Sequence, residues 1–573
     1  MNTHINLMVG GEAGQGVQSV GLILSKLFTR GGYHIFADQD YESRIRGGHS
    51  FCRVRVRESQ VAAIHETVHL LIALNAETAV LHQKELAGDG FILADSNLGG
   101  LSADGHLLQV PLTKLAEEKA GKSIMSNSVA LGAVVGLIGY DLEILKGVLK
   151  DHFKDAETAD LNIKAAEAGY QYIKDNYRGQ FKYQIKTLGK SDRLVLDGNE
   201  AVALGALAAG CKFVAAYPMT PTTPIFEYMA SKQRELDLAV IQPEDEISAI
   251  NMVIGASYTG ARAMTATSGG GFCLMVEGFG LAGMTETPIV VAYGQRPGPA
   301  IGLPTRMEQG DLQFVLRAAH GEFPRAVFAP ASIEDAFWLT VKAFNVAEKY
   351  QVPAVVMIDH YLADSYATVN RFNLADVKID RGEILTGEEL EKMAVYQRHK
   401  DTKSGISPRA FPFTNKHLVI TDSDEHGEDG HMIEDAATRT EQVAKRMRKH
   451  FSLKQDIAPP YVYGPKTAES TLIGWGSTYG PLKEAVDMLH KDGADCNLLH
   501  YSEVWPFDRE AAVNAINSSK FSYVVENNST GQFADLIAQE TGRLVENKIL
   551  KWDGRPFSPE HIVREFNRMG CCR

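Results

Sequence analysis

The chain repeats one local pattern: a short apolar run, an abrupt knot of glycine or proline, then a helix-like span. "HINLMVG" runs into "GEAGQG", "KFVAAYP" into "MTPTTP", "RAMTATS" into "GGG", "PIVVAYG" into "QRPGPAIGLPTR", and "STLIGW" into "GSTYG". Runs of this length flanked by Gly and Pro read as strands, and a strand–turn–helix–strand order builds parallel sheets covered on both faces. The chain is therefore expected to be α/β, with three α/β domains and mostly parallel sheets. Its 573 residues agree with three or four domains at a prior of about 150 residues each.

The first block opens with strand "HINLMVG", helix "VQSVGLILSKLFTRGG" and strand "YHIFAD", the start of a parallel unit, and adds strands at "HLLIALN" and "FILADS". A polar, Lys-rich passage around 178–192 reads as a linker, so this domain spans 1–185. A second block, 190–365, starts at "LVLDGNEAVALGALAAG" and carries strands at "KFVAAYP", "LAVIQ", "RAMTATS", "PIVVAYG" and "AVVMID". Residues 366–460 are polar and read as an extended connection with some helix, including "TEQVAKRMRKH". A third α/β unit occupies 461–573.

Composition removes several function classes. A formal net charge of -13 opposes nucleic-acid binding. No apolar run reaches the roughly 18 residues of a membrane helix, and the first residues lack a charged n-region and apolar core, so a cytoplasmic protein is expected. The six cysteines, Cys52, Cys211, Cys273, Cys496, Cys571 and Cys572, are scattered without a C-x-x-C. Neither a disulfide framework nor an iron–sulfur cluster on this chain is expected.

Each turn has a chemical and a plain reading. Gly11, Gly14 and Gly16 let the backbone approach an anion at a helix N-terminus, and Asp38 stands where a dinucleotide fold holds a ribose. The spacing is G-x-x-G-x-G, not G-x-G-x-x-G, so a tight turn is the stronger reading. "YESRIRGGHS" places Arg44, Arg46 and His49 around a Gly-Gly turn, either an anion site or a positively edged hairpin. "GDG" at Gly88–Gly90 is read as a turn rather than a diphosphate–metal motif. Glu244, Asp245 and Glu246 open a helix at a strand's carboxyl edge; helix-dipole stabilisation accounts for acids there without selecting one. Arg296 and Arg306 are the cations of the long "QRPGPAIGLPTRMEQGDL" loop. "DSDEHGEDGH", with His426 and His431, is read as a solvated loop rather than a metal site; no metal ligand is expected on this chain. In "YPMTPTTP", Thr223 is the expected N-cap, with Pro224 at the first helical position.

Taken in order, "YPMTPTTP", "PEDEISAINMVIGAS", "TSGGG" and "GLPTRMEQGDL" resemble the α subunit of the 2-oxoacid:ferredoxin oxidoreductases. "GGEAGQGV" with "RIRGGHS" resembles the γ domain of that family, here fused at the N-terminus; "VVENNSTGQFADLI" and "WDGRPFSPEHI" resemble the family's transketolase-like C-terminal domain. The resemblance covers nearly the whole chain and is closest to the fused γα subunits of the 2-oxoglutarate branch. It implies a γ domain, a thiamine-pyrimidine-binding domain and a transketolase C-terminal-like domain. It implies oxidative decarboxylation of a 2-oxoacid to an acyl-CoA with reduction of ferredoxin, or the reverse carboxylation. Thiamine diphosphate would be shared with a separate β subunit that holds Mg²⁺ and a [4Fe–4S] cluster, in an (αβ)₂ assembly, with coenzyme A as co-substrate.

By the same resemblance, Glu246 meets N1′ of the aminopyrimidine, Thr220 meets the 2-oxoacid and Arg306 holds its 1-carboxylate. Tyr217, Pro218, Gly269 and Gly270 line the cofactor, while Arg44, Arg46, His49, Gly14 and Gly16 are candidates for substrate or coenzyme A. Pro218 and Pro221 are expected to hold Thr220 fixed. Pyruvate and branched-chain oxoacids stay open as substrates. A NAD(P)-dependent dehydrogenase and a non-catalytic scaffold subunit are the rival classes.

Overall fold

A computed structural model describes residues 4–44, 47–101 and 105–570. The chain divides into two compact units. One comprises Met1–Asp197, Asp364–Phe372 and Ser558–His561; the other comprises Gly198–Ala363, Asn373–Phe557 and Ile562–Arg573. Arg46, Cys571 and Cys572 lie outside the described residues.

The first unit contains β1 (His4–Glu12), α1 (Val17–Arg30), β2 (His34–Tyr41), β3 (His49–Arg57), β4 (Val68–Ala73), α2 (Ala76–His82), β5 (Leu86–Asp95) and β6 (Leu107–Val110). Helices α3 (Leu112–Ala120), α4 (Ser126–Leu137), α5 (Leu142–His152) and α6 (Ala156–Asn176) follow, then β7 (Leu194–Asp197). The sheet order is β6-β5-β4-β1-β3-β2, then Tyr366–Val369, then β7. Its β6-to-β1 half is parallel. The other half is antiparallel, because β3 turns back after β2 and inserts between β2 and β1. The expected opening unit is thus a parallel crossover that straddles one antiparallel strand.

Three local expectations change. "GDG" is not a turn: it lies within β5, where the pairing with β4 shifts register. The 178–192 passage has no helix or strand, yet it packs as part of this unit. Phe181 and Ile185 are buried in its core, and the Ile185 amide donates to the Ile138 carbonyl. "LVLD" does not open the second block; as β7 it pairs with Tyr366–Val369 in the first sheet.

The second unit runs α7 (Gly198–Ala208), β8 (Phe213–Ala215), α8 (Thr223–Leu236), β9 (Ala239–Ile241), α9 (Glu246–Tyr258), β10 (Ala263–Ser268) and α10 (Gly269–Met284). It continues with β11 (Ile289–Gln295), α11 (Leu312–Arg317), β12 (Ala326–Phe328), α12 (Ile333–Tyr350) and β13 (Pro353–Asp359). The order β9-β8-β10-β11-β13-β12 is parallel throughout, with Glu503–Trp505 antiparallel on the edge. Strands β10, β11 and β13 are buried along their whole length, as unbroken apolar runs covered on both faces should be. From β8 the chain moves outward to β9, then returns to β10 on the other side of β8. Strand order therefore reverses between β8 and β10, the place where open α/β sheets gather ligands at their carboxyl edge. The three-residue β12 gave no separate sequence signal.

A five-stranded sheet follows in the same unit, ordered Tyr461–Tyr463, Cys496–Tyr501, Ser470–Trp475, Phe521–Glu526, Asn547–Leu550 and parallel after its first strand. Tyr293, Leu312, Trp475 and Phe533 belong to one core that joins the two sheets.

The 366–460 region is anchored by buried charge. Glu348 accepts from Arg262, Arg381 and Arg409, and Glu286 pairs with Lys445, Lys449 and His399. The solvated reading of "DSDEHGEDGH" holds only in part: His431 is exposed, but His426 is fully buried with its ring 4.0 Å from that of His399. Among the described residues no group of His, Cys, Asp and Glu is arranged to hold a metal, and no helix is long and apolar enough to cross a membrane.

Candidate active site

Four loops meet at the carboxyl edge of the second sheet, one each after β8, β9, β10 and β11. The structure separates the three acids of the β9 loop. Asp245 is the N-cap of α9, accepting the Ser248 amide at 2.8 Å. Glu244 is exposed and accepts the Ser248 hydroxyl at 2.8 Å. Glu246 turns inward: it is 4% exposed, and its Oε1 has no hydrogen-bond partner among the described residues.

That carboxyl packs where a side chain is missing. A Cβ at Gly271, the third glycine of "TSGGG", would lie 2.7 Å from Glu246 Oε1 and would collide with the Thr267 hydroxyl. Gly271 was not singled out in the sequence; the extra glycine in that run was its signal. Gly269 and Gly270 form the first turn of α10, Gly270 exposed and Gly269 half-buried.

The β8 loop is held from several sides. The Thr267 hydroxyl lies 4.0 Å from the Met219 sulfur. Asn199 Nδ2 donates to the Pro221 carbonyl at 3.0 Å. Gly294 of β11 has no side chain where Pro221 and Thr222 pack; a Cβ there would lie 2.7 Å from each. Arg296 Nη1 donates to the Thr220 carbonyl at 2.7 Å. Thr220 and Pro218 are half-buried and Tyr217 is 40% exposed. The N-cap expectation is corrected. Helix α8 begins at Thr223, Thr222 holds the cap position and Pro224 is the second helical residue. The Thr222 hydroxyl donates back to the Met219 carbonyl at 3.0 Å instead of accepting from the helix, which tightens the loop.

The β11 loop ends on the C-terminal sheet. Gln309 is fully buried: its Nε2 donates to the Trp475 carbonyl at 3.0 Å and its Oε1 accepts the Asn527 amide at 3.1 Å. Asn528 Nδ2 donates to the Gln309 carbonyl at 3.0 Å. Arg306 is half-buried on this loop, its Nη1 donating to the Thr305 carbonyl at 3.3 Å and its stem against Gly554.

The first unit holds the other candidates. An open pocket of about 350 Å³ is lined by Gly14, Gly16, Gln18, Tyr41, Arg44 and Ser50, among others. Gly14 and Gly16 have φ of 96° and 79°, values that favour glycine. Arg44 is mostly exposed and pairs with Glu42 at 3.1 Å. His49 is turned toward His82, with 2.8 Å between their Nε2 atoms, and burial together with His82 lowers its pKa. Asp38 is not placed for a ribose: it lies inside β2, buried and gripped by Arg53.

Comparison with known proteins agrees with this geometry. Residues 204–445 match the thiamine diphosphate-binding family of pyruvate flavodoxin/ferredoxin oxidoreductases. Residues 6–172 match the pyruvate ferredoxin/flavodoxin oxidoreductase family, and 464–563 the transketolase C-terminal domain. Fold and site thus define a thiamine diphosphate-dependent oxidoreductase. The chain is 32% identical to a 2-oxoacid:ferredoxin oxidoreductase subunit alpha of a Sulfolobus species, covering 98% of this chain and 96% of that one. It is 34% identical to the 2-oxoglutarate synthase subunit KorA of Methanocaldococcus jannaschii, covering 58% of this chain and 90% of that one. A solved 2-oxoglutarate:ferredoxin oxidoreductase of Magnetococcus marinus, with 2-oxoglutarate, coenzyme A and succinyl-CoA bound, superposes with a TM-score of 0.91 at 30% identity, over 99% of this chain and 100% of that one. The chain belongs to the 2-oxoacid:ferredoxin oxidoreductases, as an α subunit with the γ domain fused to it.

Proposed function

We propose that this subunit serves a 2-oxoglutarate:ferredoxin oxidoreductase, forming succinyl-CoA and CO₂, with the reverse carboxylation open to it. One observation carries the site assignment: Glu246 is buried with a carboxylate oxygen that has no partner among the described residues. Buried polar atoms without partners are rare and call for an explanation. A ring nitrogen of a bound aminopyrimidine supplies the missing partner, and Gly271 leaves the room in which the carboxyl itself sits. The residues present therefore fit the pyrimidine end of thiamine diphosphate. When bound, that cofactor supplies the electron sink for decarboxylating a 2-oxoacid.

The chain's own residues then have these roles. Glu246 holds or shares a proton at Oε1. Thr220 presents its hydroxyl to the oxoacid from a loop held on several sides, so little reorganisation is needed on binding. Arg306 pairs with the 1-carboxylate, and because that group leaves as CO₂ the pairing must not over-stabilise the ground state. Tyr217, Pro218, Gly269 and Gly270 line the cofactor. The Gly14, Gly16 and Arg44 pocket takes part in binding coenzyme A. A partner β subunit supplies the diphosphate–Mg²⁺ site and the [4Fe–4S] cluster in an (αβ)₂ assembly that reduces ferredoxin. The preference for 2-oxoglutarate is supported by the Magnetococcus structure and the KorA relatives.

Co-purification tests the assembly: a brown partner of roughly 300 residues, a size drawn from domain priors, is expected. A colourless chain active alone refutes it. A panel of 2-oxoglutarate, pyruvate and branched-chain oxoacids, read by viologen reduction, tests the substrate; a higher kcat/KM for pyruvate overturns the 2-oxoglutarate assignment.

A further inference from the structure

We infer that His82 and Glu85 are positioning residues for His49, and that this Glu–His–His chain lets an anionic group of a ligand bind at the Gly14–Arg44 pocket together with one proton. The inference rests on the reading of that pocket as a ligand site. His49 stands at its rim: it precedes Ser50 and pairs with Glu12 across β1, and both of those residues line the pocket. Paired positions of antiparallel strands put their side chains on one face. The chemistry such a rim takes is an anionic oxygen, whether a phosphate of coenzyme A or a carboxylate of the oxoacid.

Every link of the chain is a hydrogen bond. Glu85 Oε1 lies 2.7 Å from His82 Nδ1, and His82 Nε2 lies 2.8 Å from His49 Nε2. His82 is the last residue of α2 and is 6% exposed. Phe51 packs edge-on to its ring, 4.9 Å between centres, and lies 5.9 Å from the ring of His49. Gly10 lets α2 approach β1: a Cβ there would lie 2.6 Å from Thr78 and 3.5 Å from His49 Cε1. Asn75 caps α2 by accepting the Thr78 amide at 2.9 Å. The fold itself therefore sets the order of the two rings.

That order decides what His49 can offer. A carboxylate only accepts, so His82 carries a proton on Nδ1 and, when neutral, presents a lone pair at Nε2. His49 then donates through Nε2–H, which leaves Nδ1 of a neutral His49 as an acceptor. This Nδ1 is buried and has no partner among the described residues. A lone pair repels an anion. One added proton reverses the situation. Whether the charge rests on His49 or passes along the Nε2–Nε2 bond to His82, His49 Nδ1 becomes an N–H donor. Glu85 and the C-terminus of α2 balance that charge. Burial first, and His82 next, lower the pKa of His49, against Glu77 of α2 and against Asp40 and Glu42. Above a pH of about 7 His49 is therefore neutral in the free enzyme, and the proton arrives with the ligand. Binding linked to proton uptake weakens as pH rises.

The test titrates the assembled enzyme with coenzyme A alone and with 2-oxoglutarate alone, by calorimetry, in two buffers of different protonation heat. One of the two ligands is expected to bind with uptake of about one proton, and its Kd to rise about tenfold from pH 7 to pH 8. The ligand that shows the proton is the one His49 meets. Uptake by neither ligand in the parental enzyme overturns the proposal before any variant is made. Glu85→Gln removes the balancing charge at a partly exposed position and should raise that Kd about tenfold at pH 7, with uptake well below one proton. His82→Gln keeps a hydrogen-bonding group but cannot hold the proton, and should flatten the pH dependence. Arg44→Ala tests the pocket by itself. Weaker binding in Arg44→Ala beside parental Kd, uptake and pH slope in Glu85→Gln and His82→Gln overturns the chain and leaves the pocket reading standing. Parental binding of both ligands in Arg44→Ala and in His49→Phe removes the pocket reading and the chain together. Should His82→Gln fail to fold, as judged by its thermal midpoint, Glu85→Gln decides by the same criteria.

Discussion

Two glutamates in the second unit share a type, a depth and a place at a strand–helix corner, yet differ in what surrounds them. Glu526 ends the strand Phe521–Glu526 and is fully buried. Its carboxylate accepts the Phe533 amide at 2.9 Å, the Ala534 amide at 3.1 Å, Asn528 Nδ2 at 2.8 Å and the Trp475 indole at 3.4 Å. Glu246 is nearly as deep, but its Oε1 has no partner among the described residues. A buried carboxylate whose acceptors are filled by its own chain holds a corner together. One left with an unfilled acceptor costs stability, and that cost is tolerated where a ligand completes the shell.

The contrast breaks first at Glu246. Glu246→Gln in the assembled enzyme should lower kcat about 10³-fold, within the range for a positioned acid–base group, with the thermal midpoint unchanged. A parental kcat removes Glu246 from the chemistry. Glu526→Ala should do the opposite. Its buried amides lose their acceptor, unfolding in urea should show a loss of about 3 kcal/mol, and the folded fraction should keep its kcat within about twofold.

Asp359, at the end of β13, is an intermediate case that accepts the Ser477 hydroxyl and the Leu362 amide. Burial holds its pKa up to about 6, against an ordinary 3.8. The native state therefore keeps a proton that the unfolded chain has released, and stability falls as pH rises from about 4 to about 6. Asp359→Asn should flatten this slope by about 2 kcal/mol, read from urea midpoints across that window. Equal slopes in the two proteins would show that Asp359 does not carry the effect. The smallest effect sharpens the cradle: Gly271→Ala should weaken thiamine diphosphate binding about tenfold by calorimetry, as its methyl crowds Glu246. Unchanged binding would move the aminopyrimidine away from this glutamate.

Much of the second sheet was legible because β10, β11 and β13 are unbroken apolar runs ended by glycine or an acid, a pattern local to a few residues. The glycine turns were legible for the same reason, and they mark the loops that hold Glu246, Thr220 and Arg296. Asp311 and Gln309 were not. Each contacts a residue distant in the chain, Tyr293 in one case and Asn527 and Trp475 in the other, and neither has a local pattern. The burial of His426 escapes a local reading because a run of acids around a histidine has the composition of a solvated loop, while the ring packs on His399, distant in the chain.

By itself the sequence determined the order of strands, turns and helices, since side-chain periodicity and Gly/Pro punctuation act over a few residues. It also carried the motifs by which the family is known. Tertiary structure decided which strand joins which sheet: Leu194–Asp197 finds its partner at Tyr366–Val369. It also decided which of Glu244, Asp245 and Glu246 faces inward. Three adjacent acids on a helix start are equivalent to any local rule. The rotation of α9 against β10 and the space left by Gly271 make one of them a buried carboxyl with an oxygen to offer.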